Sequence, residues 1–178
     1  MTLIKSISGI RGTIGGKSGD NLSPEDIVKF AAAYGSWLKQ RSDQKKTKVV
    51  IGRDARISGP MLSQLVTATL SGLGIDVVDL GLSTTPTVEL AVAWEKANGG
   101  IILTASHNPG EWNALKLLNE SGEFISATDG AEILAIAEEG EMEYVSVGKL
   151  GKLTTNDTYL QKHINHILDL DLVNVETI

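Results

Sequence analysis

Cysteine is absent from the 178 residues, which excludes disulfide staples and thiolate metal centres. No apolar run is long enough to span a bilayer. The N-terminus lacks the basic, apolar and small-residue succession of a secretory signal. A cytoplasmic protein with no membrane contact is the simplest reading. Positive charge is scarce, with 16 Lys and Arg against 22 Asp and Glu and a net charge of -6. That balance argues against a nucleic-acid surface, which needs a basic face. An anionic substrate would have to be drawn by local cations against the global field. Arg11, Arg53, Arg56, Lys116 and Lys5 are the candidates. Low-complexity segments are missing too, and so is the Gly-x-Ser-x-Gly elbow of the α/β-hydrolases.

What the chain does have is alternation of short apolar strands with amphipathic helices. Strands are expected at Leu3–Ile7, Val49–Ile51, Asp76–Leu80, Gly99–Leu103 and Asn113–Leu118. Leu22-Ser23-Pro24-Glu25 starts a helix, with Ser23 as N-cap and Pro24 at the first helical position. Ile27, Phe30, Ala31, Tyr34 and Leu38 then share one face. Further helices are expected from Gly59 to Leu73, ended by Gly74, from Thr85-Pro86 to about Asn98, from Thr128 to Glu139, and from Tyr159 to Leu172. The glycine-rich stretch Ser8–Gly19 reads as a loop, Arg41–Lys48 as a surface connection, and Glu138–Lys152 as a closing rim. The pattern predicts a three-layer α/β/α domain with a mixed, mostly parallel sheet between helices. Right-handed crossovers would bring the loops at Ser8–Arg11, Arg53–Arg56 and Ser106–Lys116 to one edge. Residues 1–150 are expected to form this domain and 151–178 a linker helix toward a second domain, the chain stopping near a domain junction.

The most informative stretch is Thr104-Ala105-Ser106-His107-Asn108-Pro109. It places a serine where a buried strand gives way to a turn. Asn108-Pro109 enforces that turn, because the residue before proline is pushed out of the helical region. In open α/β sheets, ligands bind beyond the carboxyl ends of the strands. Ser106 is therefore a candidate nucleophile, with His107 beside it and Lys116 downstream. Arg53, Asp54 and Arg56 read as an ion-pair network that shapes a loop. His163 and His166, three apart on a helix, read as surface residues, since no other metal-ligand pattern accompanies them.

Three motifs in order resemble one family, the α-D-phosphohexomutases. They are Ser8-Gly9-Ile10-Arg11-Gly12, then Gly52-Arg53-Asp54-Ala55-Arg56, then the hexapeptide around Ser106 with Asn113 and Lys116 behind it. Gly81-Leu82-Ser83-Thr84-Thr85-Pro86-Thr87 resembles the loop ahead of the family's third helix. The resemblance covers residues 1 to about 150 as the first of four domains around a cleft. It implies that Ser106 carries a phosphoryl group and binds Mg²⁺ through it, together with aspartates of a domain absent from this chain. The enzyme would interconvert hexose or hexosamine 1-phosphates and 6-phosphates through a bisphosphorylated sugar. The resemblance also implies that Lys116 offsets developing charge and assists proton transfer, and that His107 contacts substrate or tunes the hydroxyl. Ser8 and Arg11 would bind substrate, while Asn108 would hold the loop by local hydrogen bonds. The chain departs from the family at Trp112-Asn113-Ala114, where tyrosine-Asn-Gly is common, so the loop could lose access to positive φ. Two other functions compete. One is a sugar-phosphate binding or regulatory module without mutase activity. The other is a serine hydrolase, disfavoured because His107 is adjacent to Ser106 in sequence.

Overall fold

Alternating residues of a buried strand must face opposite layers. In the computed structural model, which describes residues 1–6, 9–42 and 46–174, those of the strands expected at 49–51, 76–80, 99–103 and 113–118 do. Ile7 of the first expected strand lies outside the described residues. The strands are β1 (Ile4–Ser6), β2 (Gly9–Thr13), β3 (Lys48–Arg53), β4 (Asp76–Leu82), β5 (Gly99–Leu103), β6 (Trp112–Leu118) and β7 (Leu153–Thr155). They form one sheet in the order β1-β2-β6-β5-β3-β4-β7. The β3-β4, β3-β5 and β4-β7 ladders are parallel, and the β1-β2, β2-β6 and β5-β6 ladders antiparallel. Thus β2, β3, β4, β5 and β7 run one way, and β1 and β6 run against them. This is the expected mixed, mostly parallel α/β/α sheet.

The helices are α1 (Pro24–Arg41), α2 (Gly59–Gly72), α3 (Thr85–Glu95), α4 (Ala127–Glu139) and α5 (Tyr159–Leu168). Two separate cores flank the sheet. Val49, Ile51, Ile101 and Leu103 face the helices α1, α2 and α4. Val50 and Ile102 face α3 and Tyr159 of α5. Ser23 caps α1 in a reciprocal box with Asp26, whose carboxylate accepts from the Ser23 amide at 3.1 Å. No helix among the described residues is long and apolar enough to cross a membrane.

Four boundaries differ from the sequence expectation. The loop expected at Ser8–Gly19 holds β2. Its glycines are there for close approach, because a Cβ on Gly9, at φ +110°, would sit 2.3 Å from the Leu115 carbonyl oxygen. Helix α3 stops at Glu95 because Lys96 turns into the left-handed region at φ 49°. Helix α5 ends at Leu168 rather than Leu172. Part of the stretch expected as linker contributes β7 to the sheet edge. Helix α5 lies against α3, with Tyr159 stacked on Trp94 at 6.0 Å and His166 edge-on to it at 5.6 Å. His163 Nδ1 lies 2.9 Å from Thr87 Oγ1. Both histidines therefore serve the helix contact. Of the expected connection Arg41–Lys48, residues 43–45 lie outside the described residues, and Lys48 belongs to β3.

Tyr34 joins α1 to the sheet at the start of β5 and the end of β6. Its ring is fully buried, and its hydroxyl reaches the carbonyls of Leu118 at 2.7 Å and Gly100 at 3.1 Å. Burial pushes the phenol above its ordinary range, so it stays a donor. A Cβ on Gly99 would lie 2.2 Å from that hydroxyl, which is why glycine begins β5. Tyr34→Phe is expected to cost about 1–2 kcal/mol, the loss of a buried hydrogen bond. Urea unfolding should show a lower midpoint at an unchanged slope. An unchanged midpoint would contradict this role for the hydroxyl.

Candidate active site

The site begins where β5 runs out. Asp54, just past β3, donates its amide to the Leu103 carbonyl at 3.1 Å. Thr104 Oγ1 donates to Asp54 Oδ2 at 2.7 Å and accepts from the Ser106 amide at 3.0 Å. These two bonds fix the backbone entering Ser106. The serine itself takes φ +55°, one of two positive values among the described non-glycine residues. An L-residue pays roughly 1–2 kcal/mol for that conformation. The chain then turns, with the Asn108 amide bonded to the Ala105 carbonyl at 3.0 Å and the Trp112 amide to the Pro109 carbonyl at 3.0 Å.

Arg56 holds the turn. Its Nε donates to Asp54 Oδ2 at 3.0 Å. One terminal nitrogen donates to the carbonyls of Pro109 at 2.6 Å and Trp112 at 3.0 Å. The other donates to those of Ser106 and Asn108, both at 2.8 Å. All five guanidinium donors are thereby used. Of the ion-pair network expected of Arg53, Asp54 and Arg56, the Asp54–Arg56 pair is present and reaches the serine loop, whereas Arg53 forms no ion pair among the described residues and donates to the Asp54 carbonyl at 3.3 Å.

Beyond the end of β5, β2 and β6 continue. Arg11 of β2 pairs in register with Ala114 of β6, two residues before Lys116. A cavity of about 140 Å³ lies here, lined by Arg11, Ser106, His107, Asn108, Lys116 and their neighbours. Arg11 and Lys116 form no ion pair among the described residues. The Nε of Arg11 is buried without a hydrogen-bond partner. Lys116 Nζ stands 5.9 Å from the centre of the Phe124 ring. Burial raises the Glu89 carboxyl above its usual range, and the positive Lys116 partly offsets that rise. Ser106 and His107 are exposed at the cavity mouth. Of the residues singled out from sequence, Arg11, Ser106, His107, Asn108 and Lys116 come together, and Ser8 lies outside the described residues.

Ala114 needs no positive φ, because it sits in a regular ladder opposite Arg11. The departure from glycine therefore leaves the strand path intact. Asn113 is fully buried and ties β6 to the start of α2, donating to Ser58 Oγ at 2.9 Å. Thr104, Glu89 and Phe124 were not distinguished by sequence reasoning, since their partners are distant in the chain. No group of three or more His, Cys, Asp or Glu among the described residues is placed to hold a metal. The cavity lining contains no carboxylate. The lining by itself offers too few oxygens to complete the octahedron that Mg²⁺ takes, with Ser106 its one hydroxyl at the mouth.

The strain at Ser106 can be measured. Ser106→Gly should be more stable than Ser106→Ala by about 1 kcal/mol, because only glycine occupies positive φ freely. Chemical denaturation of the two variants decides this, and equal stabilities would contradict a strained serine.

Comparison with known proteins shows what the chain is similar to. Residues 3–144 match the family model described as phosphoglucomutase/phosphomannomutase, alpha/beta/alpha domain I. The chain is 36% identical over 156 residues to a phosphomannomutase of Vibrio cholerae, covering 86% of this chain and 34% of that protein. It is 38% identical over 133 residues to a phosphoglucosamine mutase of Ligilactobacillus salivarius, covering 75% of this chain and 29% of the relative. The crystal structure of a phosphoglucomutase/phosphomannomutase family protein from Burkholderia thailandensis superposes with a TM-score of 0.76 at 25% identity, covering 97% of this chain and 38% of that one. The chain thus spans about a third of the length of the relatives it matches.

Proposed function

The chain belongs to the phosphoglucomutase/phosphomannomutase family, and from that premise we propose that it is the serine-bearing domain of a phosphohexomutase acting on hexose or hexosamine phosphates. Ser106 carries the phosphoryl group. In the forward step the bond between phosphorus and Ser106 Oγ breaks, and a bond from phosphorus to a sugar hydroxyl oxygen forms. The hydroxyl proton leaves to a base, and Oγ regains a proton or is rephosphorylated by the other phosphate of the sugar bisphosphate. The net reaction is an isomerisation between 1-phosphate and 6-phosphate.

The observation that carries this reading is the pairing of a fixed, exposed serine with two cations that form no ion pair among the described residues. Phosphoryl transfer depends on positioning and on charge stabilisation more than on covalent assistance. The turn held by Arg56 supplies the positioning. Arg11, with its unpartnered Nε, and Lys116 supply positive charge facing the transferred group. Lys116 is assigned to assist proton transfer and His107 to contact substrate, since both line the cavity with Ser106. Asn108 and Ser8 are assigned to loop support and substrate binding. Phosphorylated Ser106 would contribute one oxygen to Mg²⁺, and carboxylates outside this chain the others. A cytoplasmic setting suits such a substrate.

The cavity of about 140 Å³ holds a phosphate group but falls short of the roughly 300–1,000 Å³ of ordinary ligand pockets. The remaining walls are therefore expected from segments beyond these residues, and the 178-residue chain alone should not turn over a hexose 1-phosphate. Steady turnover by it would contradict this. The reading itself is tested by mapping phosphopeptides on the protein at its full cellular length, before and after incubation with a hexose bisphosphate and Mg²⁺. A phosphoryl group on Ser106 that is lost in Ser106→Ala is the expected result. A serine unmodified in both samples would overturn the mutase and favour a binding module.

A further inference from the structure

The end of the sheet opposite Ser106 is built differently from the rest of the surface. Thr47 and Gly74 lie just before the starts of β3 and β4, whereas Ser106 follows the end of β5. Around Thr47 and Gly74 the chain forms a cavity of about 480 Å³. Four lysines line it, Lys39, Lys46, Lys149 and Lys152, and no acidic residue does among the described residues. These are four of the 16 Lys and Arg residues in a chain of net charge -6. A concave surface of one sign concentrates its field, so this cavity is positive inside an otherwise acidic protein.

Part of the cluster has a structural explanation. Lys39 Nζ donates to the Leu73 carbonyl at 2.9 Å, satisfying an acceptor at the end of α2. Lys46 Nζ lies 3.5 Å from Asp76, an exposed and long ion pair. Lys149 and Lys152 have no such account. Both are exposed, and neither side chain forms an ion pair among the described residues, although the Lys152 amide donates to Asp76 Oδ1 at 2.8 Å and so keeps that one carboxylate at the edge of the cluster. They are brought to the cavity by the single 3-10 turn at Val147–Lys149 and by the approach to β7. The turn is anchored at both ends: the Val145 amide donates to the Gly72 carbonyl at 2.9 Å, and the Gly151 amide to that of Ser71 at 2.9 Å. Backbone bonds thus fix the turn that carries two lysines to a cavity already lined by two others.

We infer that this cavity is a second anion site, taking a small molecule with two or more linked phosphates. Its volume lies within the range of ordinary ligand sites. Four ammonium groups exceed what one phosphate needs and suit a diphosphate or triphosphate, to which lysine binds as a point charge. The site shares no residue with the Ser106 cavity, so it stands whether or not the mutase reading holds.

The test is a titration of the isotopically labelled chain with inorganic pyrophosphate, followed by amide shifts. Saturable shifts at Gly74, Gly148 and Lys149 are expected. Lys149→Gln/Lys152→Gln should weaken binding at least tenfold. The charge-matched control Lys17→Gln/Lys96→Gln should change it by less than twofold. The unfolding midpoint of each variant shows that the fold persists, as expected for exposed lysines. The inference is overturned by shifts confined to residues 104–116, by equal shifts with sulfate at matched ionic strength, or by equal binding in the two double variants.

Discussion

The guanidinium of Arg56 does for the serine loop what a sheet does for a strand. Between β5 and β6 the backbone turns, and one side chain gathers four carbonyls, those of Ser106, Asn108 and Pro109 in the turn and that of Trp112 at the start of β6. Its fifth donor goes to Asp54, which also receives Thr104. Thr104 in turn accepts the Ser106 amide. The entry and the exit of the loop are therefore tied to one group, itself anchored just past the end of β3. A lysine could not replace it, because three donors on a flexible stem cannot meet five acceptors in fixed directions.

That clamp explains how a non-glycine residue persists at positive φ. Strain of this kind survives only where the surroundings over-determine the backbone, and it concentrates at functional sites. Here the strain presents a hydroxyl at the mouth of a cavity whose walls are cationic and whose lining has no carboxylate. Arg11 reaches the same cavity because β2 runs antiparallel to β6 and extends past the end of β5. The glycines of β2 make that approach possible, and the Tyr34 hydroxyl bonds to both β5 and β6 at their far end. Fold and site are thus joined through a few backbone contacts.

Most of this was legible where the signal is local. Ser23-Pro24 announces α1, Gly74 ends α2, and the apolar run to Leu103 followed by Asn108-Pro109 places Ser106 at a strand end. What failed was glycine read only as a loop former. In β2, Gly9 and Gly12 mark tight contact with neighbouring chain, which needs knowledge of the partner. Strand β7 is three exposed residues on a sheet edge, too short for alternation to register. The early stop of α3 comes from Lys96, a residue type that seldom signals left-handed backbone. At the site, the Asp54–Arg56 pair was readable from spacing, but its four carbonyl partners lie 50 or more residues away. Ala114 shows the opposite case: a substitution that looked conformationally costly falls in a regular ladder and costs nothing there.

The central claim is that Arg56 holds the Ser106 loop in its strained form. Native-state amide hydrogen exchange on the 178-residue chain and its Arg56→Lys variant tests it most directly. The amides of Ser106, Asn108 and Trp112 should exchange at least tenfold faster in the variant, while Ile51 and Ile101 in the strands keep their protection. Unchanged exchange at the three loop amides would contradict the clamp.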